Sequence, residues 1–184
     1  MTVRRGKALP RGQGKRLEGS FEPPTAGRTP NSRVLVEAAH PRARTLRTRV
    51  QRRARAFLEQ LEIRGVELSV SLVGDRAIRR LNRTWRKTDR STDVLSFPAG
   101  EIPRGAPGPR PIGDVVISVE TALRVARHEG RPVEAEVERY LAHGILHLLG
   151  YDHEKSAREA RRMLALEESL LRRGAAPPLT QLSH

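Results

Sequence analysis

An α/β domain with a small mixed sheet packed by several helices is the fold class this sequence predicts. Three observations predict it. Short apolar runs, some alternating and some continuous, read as strands; longer runs with apolar residues at three- and four-residue steps read as helices; and the two kinds are interleaved along the chain. At 184 residues the chain fits one domain, and a domain of that order buries roughly 70% of its unfolded-chain surface, enough for a core without staples.

The elements follow in order. Leu46, Val50, Ala54, Phe57, Leu58 and Leu61 predict a helix from about Thr45 to Arg64, with Arg47, Arg49, Arg52, Arg53 and Arg55 on its other side. In VELSVSLVG, Leu68, Val70 and Leu72 alternate with Ser69 and Ser71, as in a half-buried strand. Asp75 is placed to cap a helix that carries Ile78, Leu81 and Trp85 on one face, with Trp85 read as a core residue. TDVLSFP reads as a short strand stopped by Pro98, and AGEIPRGAPGPRPI as a Gly/Pro-rich loop. GDVVISV reads as a strand buried on both faces. Glu120 to His128 reads as a helix ended by Gly130, and Pro132 opens a long helix to about Leu149. Gly150 is placed to stop it in the left-handed conformation, before a last helix from about Lys155 to Arg172 built on Met163, Leu164, Leu166, Leu170 and Leu171.

Residues 1 to about 32 have almost no apolar periodicity and cannot offset chain entropy by burial. We therefore expect a disordered basic extension over residues 1–40, a folded domain over 41–173 and a flexible tail over 174–184. The formal net charge of +14 is unevenly spread. Residues 1–55 hold 15 Lys/Arg against three acids, and residues 56–184 hold 20 against 18. Such asymmetry favours a polyanionic partner, nucleic acid before an anionic membrane. The absence of cysteine excludes disulfides and thiolate metal sites. No apolar run approaches the ~20 residues of a membrane span, and no hydrophobic segment follows the basic N-terminus as a secretory signal requires. The expectation is a soluble, cytoplasmic protein with no membrane partner and no small-molecule cofactor.

The stretch HGILHLLGYDH carries the chemistry. His143 and His147 are four apart on the predicted helix, so their imidazoles share one face a turn apart. Beyond the Gly150 stop, His153 can swing back to the same ion, and three neutral nitrogens leave a fourth position open, as at a catalytic zinc. His40, His128 and His184 have no such company and read as surface residues. This is the histidine spacing of a large group of zinc proteases, in which a glutamate follows the first histidine and serves as the base. Here that position is Gly144. Amide hydrolysis needs a proton delivered to a poor leaving group, which glycine cannot do. Phosphodiester cleavage instead asks for a cation to meet charge developing on phosphate.

HGILHLLGYDH, together with LNRTWRKTDRSTDVLSFP (Leu81 to Pro98) and GDVVISVETA (Gly113 to Ala122), closely resembles the YbeY family of bacterial rRNA maturation factors, regarded as single-strand-specific, metal-dependent endoribonucleases. The resemblance covers roughly Leu46 to Arg172. It implies an α/β fold in which the metal helix lies in a cleft, and one Zn2+ held by His143, His147 and His153. It also implies a functional arginine at Arg86, where a guanidinium could clamp phosphate. Where many relatives have tyrosine before that arginine, this chain has Trp85. Asp93, Ser96, Asp114 and Asp152 fall on motif positions as well. Asp93 and Asp114 read as loop-fixing hydrogen-bond acceptors, Asp152 as an acceptor that could orient a ligand, and Lys155 as a surface lysine that could face phosphate.

The function expected on these grounds is a zinc-dependent endoribonuclease on single-stranded RNA, engaged in 3′-end maturation of 16S rRNA on the small ribosomal subunit and in ribosome quality control. The alternatives are a ribosome-binding maturation factor whose zinc is mainly structural and, more remotely, a zinc protease.

Overall fold

The computed structural model describes residues 31–100 and 107–172. The expected terminal tail and most of the extension lie outside these residues. Strands β1 (Arg33–Ala38), β2 (Val66–Val73), β3 (Val94–Pro98) and β4 (Arg110–Ser118) form one sheet in the order β1-β2-β4-β3. The first three in that order run parallel, and β3 is antiparallel to β4, so the sheet is mixed as expected. Helices α1 (Arg47–Gln60), α2 (Asp75–Arg86), α3 (Val119–His128), α4 (Val133–Leu148) and α5 (Ala157–Leu171) cover it.

Strand alternation sorts the core into two clusters. On one face Val66, Leu68, Val70 and Leu72 of β2, Val115 and Ile117 of β4, and Val94 of β3 pack under α1, α4 and α5. On the other face Val73, Val116 and Leu95 pack against Ile78 of α2. Strands β2 and β4 are therefore apolar on both sides toward their ends, as parallel strands between two helix layers must be. Helix α4 is the central one, with Val137, Leu141, Ile145 and Leu146 fully buried between the sheet and the other helices. Glu138, also on α4, is buried between Arg49 (2.7 Å) and Arg53 (2.9 Å), and Arg47 Nε donates to the Val36 carbonyl. Three of the five arginines expected to line an outer face of α1 are thus used in holding α1 to its neighbours. A buried charge needs such partners.

Five expectations need correction. A strand occupies Arg33–Ala38, inside the expected extension: Val34 and Val36 alternate inward and pair beside Leu68 and Val70. The alternation is readable in RVLVEA but too short to separate from the polar run before it. Strand β4 begins at Arg110 instead of Gly113, because Arg110 and Pro111 pair with Val66 and Glu67 ahead of a bulge. Asp75 is not the cap of α2. Gly74 holds that position, and the Asp75 carboxylate accepts hydrogen bonds from Ser118 Oγ, Thr121 Oγ1 and Arg124, tying α2 to the β4–α3 junction. Trp85 is 68% exposed, meeting only the edge of Phe97 at 6.0 Å between ring centres. His40 is also more than a surface residue: its ring accepts from Arg42 N and lies 3.7 Å from Glu120.

Candidate metal centre

Three imidazoles meet at the C-terminal turn of α4. Helical spacing puts His143 and His147 on one side, with ring centres 4.5 Å apart. The helix then stops as expected: Gly150 takes φ +89°, its N–H donates to the His147 carbonyl, and Tyr151 N–H donates back to Leu146. That turn returns His153 to within 5.3 Å, ring centre to ring centre, of both other rings. One ligand nitrogen from each residue lies within 4.8 Å of the others. His143 and His147 are half-buried and His153 is exposed, so the group is open on one side.

The protonation pattern suits a cation. His143 Nδ1 lies 2.6 Å from Glu167 Oε1 on α5, and a carboxylate there holds the ring proton on Nδ1 and leaves the Nε2 lone pair free. His143 Nε2 and His147 Nε2 are 3.0 Å apart. Two lone pairs at that distance repel unless something positive lies between them, and the N···N edge of a tetrahedral zinc–imidazole site is about 3.4 Å. Burial, reinforced by the proximity of the His143 and His153 rings, holds His147 below the ordinary histidine range, which keeps it neutral. Three imidazole nitrogens with an open side fit a divalent ion of the zinc type.

Gly144 has a steric explanation. A Cβ on it would stand 2.6 Å from Val115 Cγ1 and 3.2 Å from Ser96 Oγ, and that same Ser96 hydroxyl donates to the Gly144 carbonyl. The position faces the sheet, not the histidines. Any side chain there, a glutamate included, collides with Val115 at its first carbon.

The remaining expected residues are spread more widely. Arg86 ends α2, exposed, and its guanidinium has no hydrogen bond or ion pair among the described residues. Helices α2 and α4 lie on opposite faces of the sheet, with edge strand β3 between them. Their C-terminal ends point the same way: Trp85 touches Phe97, and a Cβ on Gly113, which pairs with Pro98, would meet Leu148. Arg86 therefore borders the histidine end of the sheet across β3. The Asp93 carboxylate accepts from Thr92 Oγ1 and Val94 N, while its carbonyl accepts from Ser118 N. Asp114 is exposed on β4, opposite Phe97, with no side-chain partner among the described residues. Asp152 accepts from Glu154 N and stands 4.0 Å from the exposed Lys155 ammonium. The carboxylate hydrogen-bonded to a ligand ring is Glu167 instead, a residue the sequence reading missed. Its signal is slight: an acid beside the inward stripe Met163, Leu166 and Leu170.

The fold and the site define a single α/β domain carrying a three-histidine group fit for a metal. Residues 36–174 match the family model described as Endoribonuclease YbeY, and the chain belongs to that family. It is 61% identical over 144 residues to the Endoribonuclease YbeY of Myxococcus xanthus, a match over 78% of this chain that spans about half (49%) of the relative. It is 54% identical over 139 residues to the protein of that name from Anaeromyxobacter sp. strain Fw109-5, covering 76% of this chain and 70% of the relative. The Aquifex aeolicus protein of that name is 46% identical over 140 residues, covering 76% and 90%. The solution structure of TM1509 from Thermotoga maritima superposes with a TM-score of 0.54 at 27% identity, over 75% of this chain and 86% of that one. Among the described residues no helix is long and apolar enough to cross a membrane.

Proposed function

We propose that this chain is a metal-dependent endoribonuclease that hydrolyses phosphodiester bonds of single-stranded RNA, with Zn2+ held by His143, His147 and His153. The observation that carries the reading is the convergence of three imidazoles on one open point, in a chain belonging to a family named for endoribonuclease activity. When bound there, the metal supplies Lewis-acid chemistry at a phosphoryl oxygen and lowers the pKa of water. Glu167 orients His143, and burial keeps His147 unprotonated, so both present lone pairs. Arg86, exposed beyond β3, meets a phosphate with a fixed positive charge that forms no ion pair among the described residues. The want of a carboxylate beside His143 favours phosphodiesters over amides as substrate, since Gly144 leaves no group to protonate an amine.

The natural substrate in this proposal is the 3′ end of 16S rRNA on the small ribosomal subunit, in the cytoplasm, within maturation and quality control of ribosomes. The test is cleavage of single-stranded RNA by the full chain. His147→Ala and Arg86→Ala should each abolish cutting with the fold intact by circular dichroism, and only the first should lose metal. Cleavage at the wild-type rate by both variants would refute the assignment.

A further inference from the structure

The charge asymmetry of the sequence hides a second basic region. Between Asp75 and Arg90 stand seven Lys/Arg against two acids, whereas residues 56–184 as a whole are nearly balanced. The two acids are already engaged: Asp75 by Ser118, Thr121 and Arg124, and Asp89 by both nitrogens of Arg79. Arg76, Arg80 and Arg83 are exposed and form no ion pair among the described residues; Arg83 feels only the Asp89 carboxylate that Arg79 already holds. With Arg79 and Asp89 they wall a shallow groove of about 230 Å3.

The spacing makes a ridge. Arg76, Arg80 and Arg83 follow the i, i+4, i+7 row, in which neighbouring side chains stand about 5–6 Å apart at Cβ. Arg86 follows one turn on, and Trp85, on the Ile78 side of the same helix end, leaves its ring exposed at the edge of Phe97. Like charges at i, i+4, as in Arg76/Arg80 and Arg79/Arg83, oppose helix formation. A polyanion laid along α2 would turn that repulsion into attraction. The contrast with α1 is instructive, because there Arg47, Arg49 and Arg53 are consumed by internal contacts. On α2 the charge of Arg76, Arg80 and Arg83 has no ion-pair partner among the described residues, and the inward face of α2 is filled by Ile78 and its neighbours.

We propose that α2 is a docking ridge for single-stranded RNA: a base stacks on Trp85 where the helix ends beside β3, and the strand then turns onto the outer face, where Arg83, Arg80 and Arg76 contact successive phosphates. The strand reaches the ridge by crossing β3 from the histidine centre, so the contacts lie on the opposite face of the sheet from the point of cleavage. Charge with no internal partner, helical spacing and an exposed aromatic at the end nearest the metal centre argue for RNA over an acidic protein, which would not call for a stacking ring. The proposal rests on the endoribonuclease reading for its ligand class.

The test uses the full metal-loaded chain and a fluorescein-labelled 20-nucleotide single-stranded RNA. Anisotropy is read before turnover across a salt series, and cleavage is measured on gels from the same samples. The triple variant Arg76→Gln, Arg80→Gln, Arg83→Gln should bind more weakly, and its log K against log salt slope should be shallower by about 2, at ~0.7 for each lost phosphate contact. Trp85→Ala should lose affinity about tenfold with its slope unchanged, because stacking releases no counterions. Metal content and circular dichroism should match wild type in both. A triple variant with wild-type affinity and slope overturns the ridge, and so does a Trp85→Ala variant that binds as wild type does. Wild-type protein that binds RNA with the expected variant effects but does not cut it would overturn the hydrolytic reading and leave the ridge standing.

Discussion

Gly144→Ala tests the packing of the metal helix directly. The new Cβ would lie 2.6 Å from Val115 Cγ1 and 3.2 Å from both Val115 Cγ2 and Ser96 Oγ. Val115 is fully buried and central in the sheet, so it has little freedom to retreat. Overpacking of this kind typically costs about 1–3 kcal/mol. Against it stands the helix-propensity gain of replacing glycine by alanine, about 0.8–1 kcal/mol. The expected net is a loss of about 1 kcal/mol, a fall in Tm of roughly 2–4 °C for a domain near this size. Val115→Ala removes both offending methyls, and in that background Gly144→Ala should become neutral or stabilising by up to ~1 kcal/mol. The cycle of four proteins, followed by urea denaturation under one metal condition, should therefore show a coupling of at least about 1 kcal/mol, within the range for touching residues. If Gly144→Ala stabilises the parent chain by its full helix gain, or the coupling is zero within error, the close approach of α4 to β4 is wrong.

Three further outcomes follow from the same structure. Glu167→Gln should weaken metal binding about 10- to 100-fold, read by competition with a chromophoric chelator, because His143 loses the carboxylate that sets its tautomer. Glu138→Ala leaves Arg49 and Arg53 without their shared partner and should destabilise by about 3 kcal/mol in urea, the lower end for breaking a buried pair because Arg49 is partly exposed. Asp75 sets an acid limit. Burial, the largest single influence, raises its pKa, but hydrogen bonds from Ser118, Thr121 and Arg124 together outweigh it and hold the carboxyl below its ordinary 3.8. A depressed carboxylate stabilises the fold fully above the unfolded value and loses that contribution as pH falls through 3.8 toward the folded value. Asp75→Asn should flatten the stability curve in that window alone, and an unchanged acid limb would contradict the network.

The sequence by itself determined a good deal, because local rules carry it. Period-two and three-to-four-residue patterns, with the glycine and proline stops between them, locate all five helices and three of the four strands, since burial on one face is what those periods encode. The histidine group was legible for the same reason: His143 and His147 are a helix turn apart, and Gly150 must reverse the chain to bring in His153. Only the tertiary structure decided the rest. That Gly144 is a contact with Val115, that Glu167 holds His143 from 24 residues away, and that Trp85 points to solvent are properties of which elements meet across the sheet. The arginines make the point most clearly. Read as composition, those of α1 and α2 are alike; packing gives α1 a buried glutamate to satisfy and leaves α2 facing water, and a charge acts outward only when nothing inside the fold claims it.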